Sequence, residues 1–362
     1  MSIYVDFHVL QTVPPSCVNR DDTGSPKTAV YGGTVRARVS SQSWKHEMRK
    51  SFKDLFKEEE LGYRTKFVAE LIEKEMLDSD STLDKNECRK KAVKALELAG
   101  IKMKSDKKDE SEKAAALFFM SRKQAKAIAK LALELNLDDK KESENILKNA
   151  LKENPSVDIA FFGRMAADDP TLNYDAAAQV AHAISTHAVE NEYDYFTADD
   201  DMQKDDNAGA GHLGTVEFNS STLYRYATVN ISELSETIGA ENTAEAIRKF
   251  ADAFIYSMPT GKSNTFANRT MPDSVYITVR KDQPVNLCGA FEAPVRKSDR
   301  GYVDESEKRL EEYAEKVYRK FAAEPEKSFC TEGYFEKIAE SLPLSEMLPE
   351  LEKTVNDMIC GV

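Results

Sequence analysis

The chain has 362 residues with 41% hydrophobic and 31% charged side chains. That is apolar enough for a sizeable core and about two domains at roughly 150 residues each, which excludes a disordered chain. No apolar stretch approaches the roughly 18 residues of a membrane helix, and the start Met1–His8 has neither the basic nor the apolar region of a signal peptide. The five cysteines, Cys17, Cys88, Cys288, Cys330 and Cys360, contain no CxxC pair, which excludes a zinc ribbon and a disulfide framework and fits a reducing cytoplasm.

The formal charge of −13 argues against a uniformly basic surface, but it hides an asymmetry. Residues 1–53 carry 8 Lys/Arg against 4 Asp/Glu, and the remainder 42 against 59. Such a contrast along a chain marks a local anion-binding face on an acidic body.

In chain order, Ile3, Val5, Phe7 and Val9 alternate with Tyr4, Asp6, His8 and Leu10, which predicts a half-buried strand. A loop rich in turn formers follows through Pro14–Pro26. Residues 29–39 read as a second strand kinked at Gly32-Gly33, and Ser40-Ser41 cap a helix expected to reach about Glu60. Residues 63–153 are rich in Lys, Glu, Leu and Ala with almost no Gly or Pro, a helical insertion. The apolar run Val157–Met165 reads as a strand, and Ala176–Val189 is ambiguous between helix and strand. Residues 190–217 are acidic, aromatic and glycine-bearing, a protruding hairpin or long loop. Beyond it come a strand at Thr222–Ile231, a helix at Thr243–Ser257 and a strand at Val275–Val279. Helices at 304–323 and 333–358 close the chain, the latter broken near Pro343. The order fits an α+β fold with helices on one face of an antiparallel sheet, of which a ferredoxin-like, RNA-recognition-like core is one form.

The helix from Ser41 carries two stripes. Trp44, Met48 and Phe52 make the buried one, while Lys45, Arg49 and Lys53 share another face. Arg36 and Arg38 alternate on the preceding strand, and Ser40, Ser41, Gln42 and Ser43 stand at the helix start, where free N–H groups favour an anion. These are the ingredients of a phosphate track; a solvated basic helix face after a capped turn gives the same pattern. Tyr193, Tyr195 and Phe196 place aromatics in a polar loop, able to stack on bases or to pin the loop. Gly261-Lys262-Ser263 is not a Walker A, because Tyr256 stands where its first glycine is needed. It remains a basic turn within reach of phosphate chemistry or a plain turn. His182 and His187, five apart, match metal-ligand geometry on neither a strand nor a helix, and Asp6 with His8 and Asp21-Asp22 read as structural carboxylates rather than a nuclease site. No metal or other cofactor is expected.

Five stretches in order resemble one known family. They are Phe7–Leu10 with Pro15–Asp22, Gly32–Ser43, Val157–Ala160 with Gly163–Ala166, Val180–His187, and Tyr195–Ala198 with Ala210–Phe218. Together they look like the CasC family, the guide-RNA-binding backbone subunit of type I-E CRISPR Cascade. The resemblance implies an RNA-recognition-like palm sheet (1–60, 156–189 and 218–362 with C-terminal helices), a helical fingers insertion (61–155) and a β-hairpin thumb (190–217). It makes Ala176–Val189 a palm strand. It implies polymerisation along crRNA, non-specific binding of its ribose-phosphate backbone, a nucleotide displaced by each thumb, and pairing of the rest with target DNA. Further copies of the chain and other Cascade subunits are the implied protein partners. By this likeness Arg20, Arg38, Ser40, Gln42, Lys45 and Arg49 hold the guide backbone, and Met165, Tyr195, Phe196 and Leu213 form an apolar wedge with Thr197 beside it. The role is non-catalytic. The alternative is a metal-dependent endoribonuclease using a loop aspartate, Asp21 or Asp22.

Overall fold

The computed structural model describes residues 2–105, 112–198 and 212–361. In chain order the elements begin with β1 (Tyr4–Ser16), β2 (Thr28–Tyr31), β3 (Thr34–Val39), α1 (Ser41–Leu55) and β4 (Gly62–Thr65). Then come α2 (Val68–Ser79), α3 (Lys85–Leu98), β5 (Met103–Ser105), β6 (Glu112–Ala114), β7 (Phe118–Ser121), α4 (Arg122–Glu134), α5 (Lys140–Lys152) and α6 (Val157–Phe162). They continue with β8 (Ala178–Val180), β9 (Ala183–Ser185), β10 (Glu192–Ala198), β11 (His212–Asn230), α7 (Ile231–Ile238), α8 (Ala240–Tyr256) and α9 (Ser263–Phe266). The last are β12 (Ser274–Arg280), α10 (Val303–Lys320), β13 (Lys327–Cys330), β14 (Glu340–Ser341) and α11 (Leu344–Cys360). The chain is a mixed α+β protein that divides into two compact units.

The first unit comprises residues 1–48, 180–228 and 250–355. Its main sheet runs β14-β13-β12-β1-β11-β9-β3-β2, with β10 paired to β11. The pairs β1–β12, β12–β13, β9–β11, β3–β9, β2–β3 and β10–β11 are antiparallel, and β13–β14 is parallel. β1 is central and buried on both faces, not half-buried: Val5, Phe7 and Val9 are inaccessible, and so are Asp6, His8 and Leu10. Phe7 lies against Phe250 and Phe254 on one face. Leu10 belongs to a core with Tyr276, Leu310 and Ala314 on the other. Helices therefore cover both faces rather than one. Alternation shows which residues share a face but not whether water meets either face.

The stretch expected as one kinked strand is a hairpin. Gly32 and Gly33 take φ of 58° and 76°, the positive values a tight two-residue turn demands, and a side chain on Gly32 would collide with the Glu292 carbonyl oxygen at 1.6 Å. α1 stops at Leu55, short of Glu60, because Lys57–Glu60 starts a separate helical turn in which the Glu60 carboxylate accepts from the Lys57 N–H. The helical stretch expected over 333–358 is a short 3₁₀ turn at Gly333–Lys337 and then α11 from Leu344, with the expected break at Pro343; β13, unforeseen, precedes both.

The second unit comprises residues 49–179, 229–249 and 356–362. Val68, Ile72 and Met76 of α2, Ala92 and Leu96 of α3, Ile128 of α4 and Leu147 of α5 make its core, as the helical spacing of 63–153 predicts. The ladders β4–β7 and β5–β6 in the same region were not legible. Val157–Phe162 is a helix, not a strand. An apolar run this short fits either by pattern alone. Gly163, at φ 74°, ends it. The ambiguous segment 176–189 holds two three-residue strands, β8 and β9.

Candidate nucleic-acid interface

The junction of β3 and α1 is organised by Asn19. Its side-chain oxygen accepts from the Ser40 N–H at 2.9 Å, and its carbonyl accepts from the Lys27 N–H at 2.8 Å. The Lys27 carbonyl in turn accepts from the Arg38 N–H at 2.9 Å. The loop that carries Arg20 is thus stapled to the strand that carries Arg38 and to the start of α1. Ser40 is buried and serves as the cap: its carbonyl accepts from Ser43 and Trp44. Gln42 is exposed in the first turn. Lys45 is partly buried, and burial lowers its pKa. Arg20 is exposed. Arg38 donates from Nε to the Thr28 carbonyl at 3.0 Å and from Nη1 to His182 Nδ1 at 3.2 Å, so that ring nitrogen is unprotonated. Burial, then Arg38 and Lys27, lower the His182 pKa.

Arg36 leaves the phosphate track. It is wholly buried and donates to the carbonyls of Ser185 at 2.9 Å and Phe291 at 2.8 Å. Arg36 and Arg38, two residues apart on β3, share a strand face, but Arg36 is covered there while Arg38 is partly exposed. Asp21 is also committed: one carboxylate oxygen accepts from the Thr23 N–H, the Thr23 hydroxyl and the Ser25 N–H. The Thr23 hydroxyl is the main cause of its lowered pKa. Asp6 and His8 are sealed in the sheet; Asp6 accepts from the Tyr226 hydroxyl and the Val285 N–H, both at 2.9 Å. His187 is buried and stacked on Tyr302 at 3.6 Å, with Nε2 accepting from the Thr222 N–H. Among the described residues no group of three His, Cys, Asp or Glu converges as metal ligands would.

β10 rises from this unit with Tyr193 68%, Tyr195 64% and Phe196 39% exposed. Exposed aromatics clustered on a strand are informative where scattered ones are not. Tyr193, Tyr195 and Thr197 share one strand face and Phe196 takes the other. The pair Tyr195-Phe196 therefore projects in two directions. Phe196 lies over its cross-strand neighbour Gly214, where a Cβ would come within 2.4 Å of the ring. Leu213 is opposite Thr197 in the ladder; its side chain, like the hairpin tip 199–211, lies outside the described residues.

Two predicted site residues belong to the second unit. Arg49 contacts Asp158 through Nη2 at 3.0 Å and the Gly62 carbonyl at 3.3 Å, and lies over the Phe119 ring at 4.4 Å. Burial raises the Asp158 pKa against the pull of that guanidinium. Met165 is 84% exposed, the most exposed large apolar side chain among the described residues. Its neighbour Arg164 is buried and donates to the carbonyls of Leu172 at 2.9 Å and Leu151 at 2.8 Å. A free methionine thus stands on an anchored backbone. Arg164 was not foreseen as its support; the adjoining glycine and methionine drew attention, but burial of an arginine leaves no mark in sequence.

Residues 5–356 match the family described as CT1975-like protein. A solved structure titled "CRISPR RNA-guided surveillance complex, pre-nicking" contains a chain 31% identical, with a TM-score of 0.82, covering 96% of this chain and 100% of that one. A second, titled "CRISPR RNA-guided surveillance complex", gives 28% identity and a TM-score of 0.71 over 96% and 99%. None of the curated protein sequences compared with the chain matches it.

Proposed function

The chain belongs to the CT1975-like family, and on that premise we propose that it is a crRNA-binding backbone subunit of a CRISPR surveillance complex of the type I-E kind. The observation that carries this reading is the β3–α1 junction, where Arg20, Arg38, Gln42 and Lys45 gather around the Asn19 staple in the same unit as a strand of exposed aromatics. Cations follow a phosphate backbone without reading sequence, and aromatic faces accept any base. In this reading the main sheet is an RNA-recognition-like palm, 61–155 the fingers and 190–217 the thumb. Tyr195, Phe196 and Leu213 supply apolar surface for a displaced nucleotide, with Thr197 beside them.

The chemistry is physical. The guide reads target DNA by Watson–Crick pairing while protein holds its backbone. A displaced nucleotide cannot pair, so mismatches opposite it are tolerated. Further copies of the chain and other complex subunits are the protein partners, and no covalent step is assigned.

Light scattering with single-stranded RNA of increasing length tests the reading. Mass rising in protein-sized steps and collapsing in high salt is expected. One protein per RNA at every length sinks the backbone role, and RNA cleavage lost on Asp22→Ala favours the endoribonuclease instead.

A further inference from the structure

The turn Pro259–Ala267 has a built geometry that a plain connection does not need. Lys262 has φ 50° and Ala267 φ 47°, two of the three non-glycine residues with positive φ among those described. The left-handed region disfavours a side chain with a Cβ, and asparagine or glycine meets it at lower cost. A strained residue persists where its surroundings over-determine it. They do here. A Cβ on Gly261 would lie 2.1 Å from the Val18 carbonyl oxygen and 2.8 Å from that of Cys17, so only glycine lets this turn sit against the loop that carries Arg20. Asn268, 2% exposed, donates from Nδ2 to the Gly261 carbonyl at 3.2 Å. Phe266 lies on Phe218 of β11 at 5.9 Å.

The turn brings Lys262 into the neighbourhood of Arg20. Burial raises the pKa of the Cys17 thiol, and Arg20 and Lys262 both pull it down. Glu217 and Asp21 act on the same thiol. Glu217 accepts from Asn191 Nδ2 at 3.1 Å, and Asp21 is held by its own turn. Among the described residues neither Arg20 nor Lys262 has an ion-pair partner.

We propose that Lys262 is a guide-binding residue, held by this strained turn so that it joins Arg20 on a backbone phosphate of single-stranded RNA. The inference rests on the guide-binding reading above and adds to it an element some 220 residues away in sequence from the basic junction.

The test is RNA affinity of the full chain as a function of salt, for wild type, Lys262→Asn, Lys262→Arg and Arg20→Ala. Asparagine accepts the left-handed backbone, so Lys262→Asn removes the charge and leaves the turn; unchanged thermal unfolding checks this. Each single-strand phosphate contact contributes about 0.7 log unit of affinity per log unit of salt. Lys262→Asn is expected to lower the slope by about that amount and to weaken binding about fivefold at 0.1 M salt, with Lys262→Arg close to wild type. If Lys262→Asn matches wild type while Arg20→Ala weakens binding, the turn is structural and this inference fails alone. If wild type shows no salt-dependent RNA binding, the guide-binding reading and this inference both fall.

Discussion

In the helical unit, cations meet acids at short range. Lys90 lies 3.0 Å from Glu87, Lys148 2.9 Å from Glu144 and 3.0 Å from Asp169, Arg89 3.5 Å from Glu70, and Arg122 3.1 Å from Glu58. The sheet unit has such pairs too, Arg309 with Glu305 and Lys337 with Glu311 among them, but it also holds two further sets. Arg36 and Arg225 are sealed inside and satisfied mainly by carbonyls, whereas Arg20, Lys27 and Lys262 have no ion-pair partner among the described residues. Pairs at an exposed surface contribute little to stability, so the helical unit's pairs mainly cancel its field. Cations left unpaired on the sheet unit keep theirs for an external anion. The total of −13 conceals this difference because it counts both kinds alike.

The sharpest way to break this division is to remove a sealed cation. Arg225 donates to Gln11 Oε1 at 2.6 Å and to the Phe254 carbonyl, and its guanidinium lies 3.9 Å from the Trp44 ring centroid. Arg225→Ala leaves a cavity and orphaned acceptors, and the expected loss is about 3–5 kcal/mol in a denaturant titration. A loss no larger than that of an exposed cation would remove the distinction. Asp158→Ala in the helical unit deprives Arg49, the Gly62 N–H and the Ser156 hydroxyl of one acceptor group. About 2–4 kcal/mol is expected by the same measurement.

Acid titration probes the sealed interior. Burial lowers the His8 pKa to about 3 and raises the Asp6 pKa to about 6. Between the ordinary histidine value and about 3, the unfolded chain binds the His8 proton and the folded one does not, so stability falls as pH drops through that range. Asp6 acts oppositely between about 6 and its ordinary value, since there the folded chain holds the extra proton. The expected outcome is a net loss from pH 7 to pH 4, measured by urea midpoints, that shrinks in His8→Gln. An unchanged pH dependence in that variant would show that His8 is accessible to solvent.

The exposed set is tested by binding. Tyr195→Ala is expected to cost about 1–3 kcal/mol of RNA affinity with the unfolding midpoint unchanged. Arg20→Ala is the smallest effect, a salt slope lower by about 0.7. A fall in stability in either variant would place these side chains with the structural set.

Much of this was legible because it is local. The stripe Trp44, Met48, Phe52 needs only the helical repeat, and all three are buried. The helical insertion and the exposure of Tyr193, Tyr195 and Phe196 were also readable, the latter from aromatics set in a polar stretch, whereas only the family likeness pointed to Met165. That Arg36 and Arg38, two apart on a strand, share one face was legible too. Which of the two is deep was not, since that depends on β9 and the carbonyl of Phe291, far along the chain. Val157–Phe162 was misread because a short apolar run has no period of its own.

By itself the sequence determined the local periods, the charge asymmetry and, through five ordered stretches, the family. Each depends on residues near one another in the chain. Only the tertiary structure decided which cations are free. Whether a charge meets a carbonyl, a carboxylate or solvent depends on what long-range pairing brings beside it. Gly261 packs on Val18 and Arg36 reaches Phe291 by contacts that no local pattern encodes.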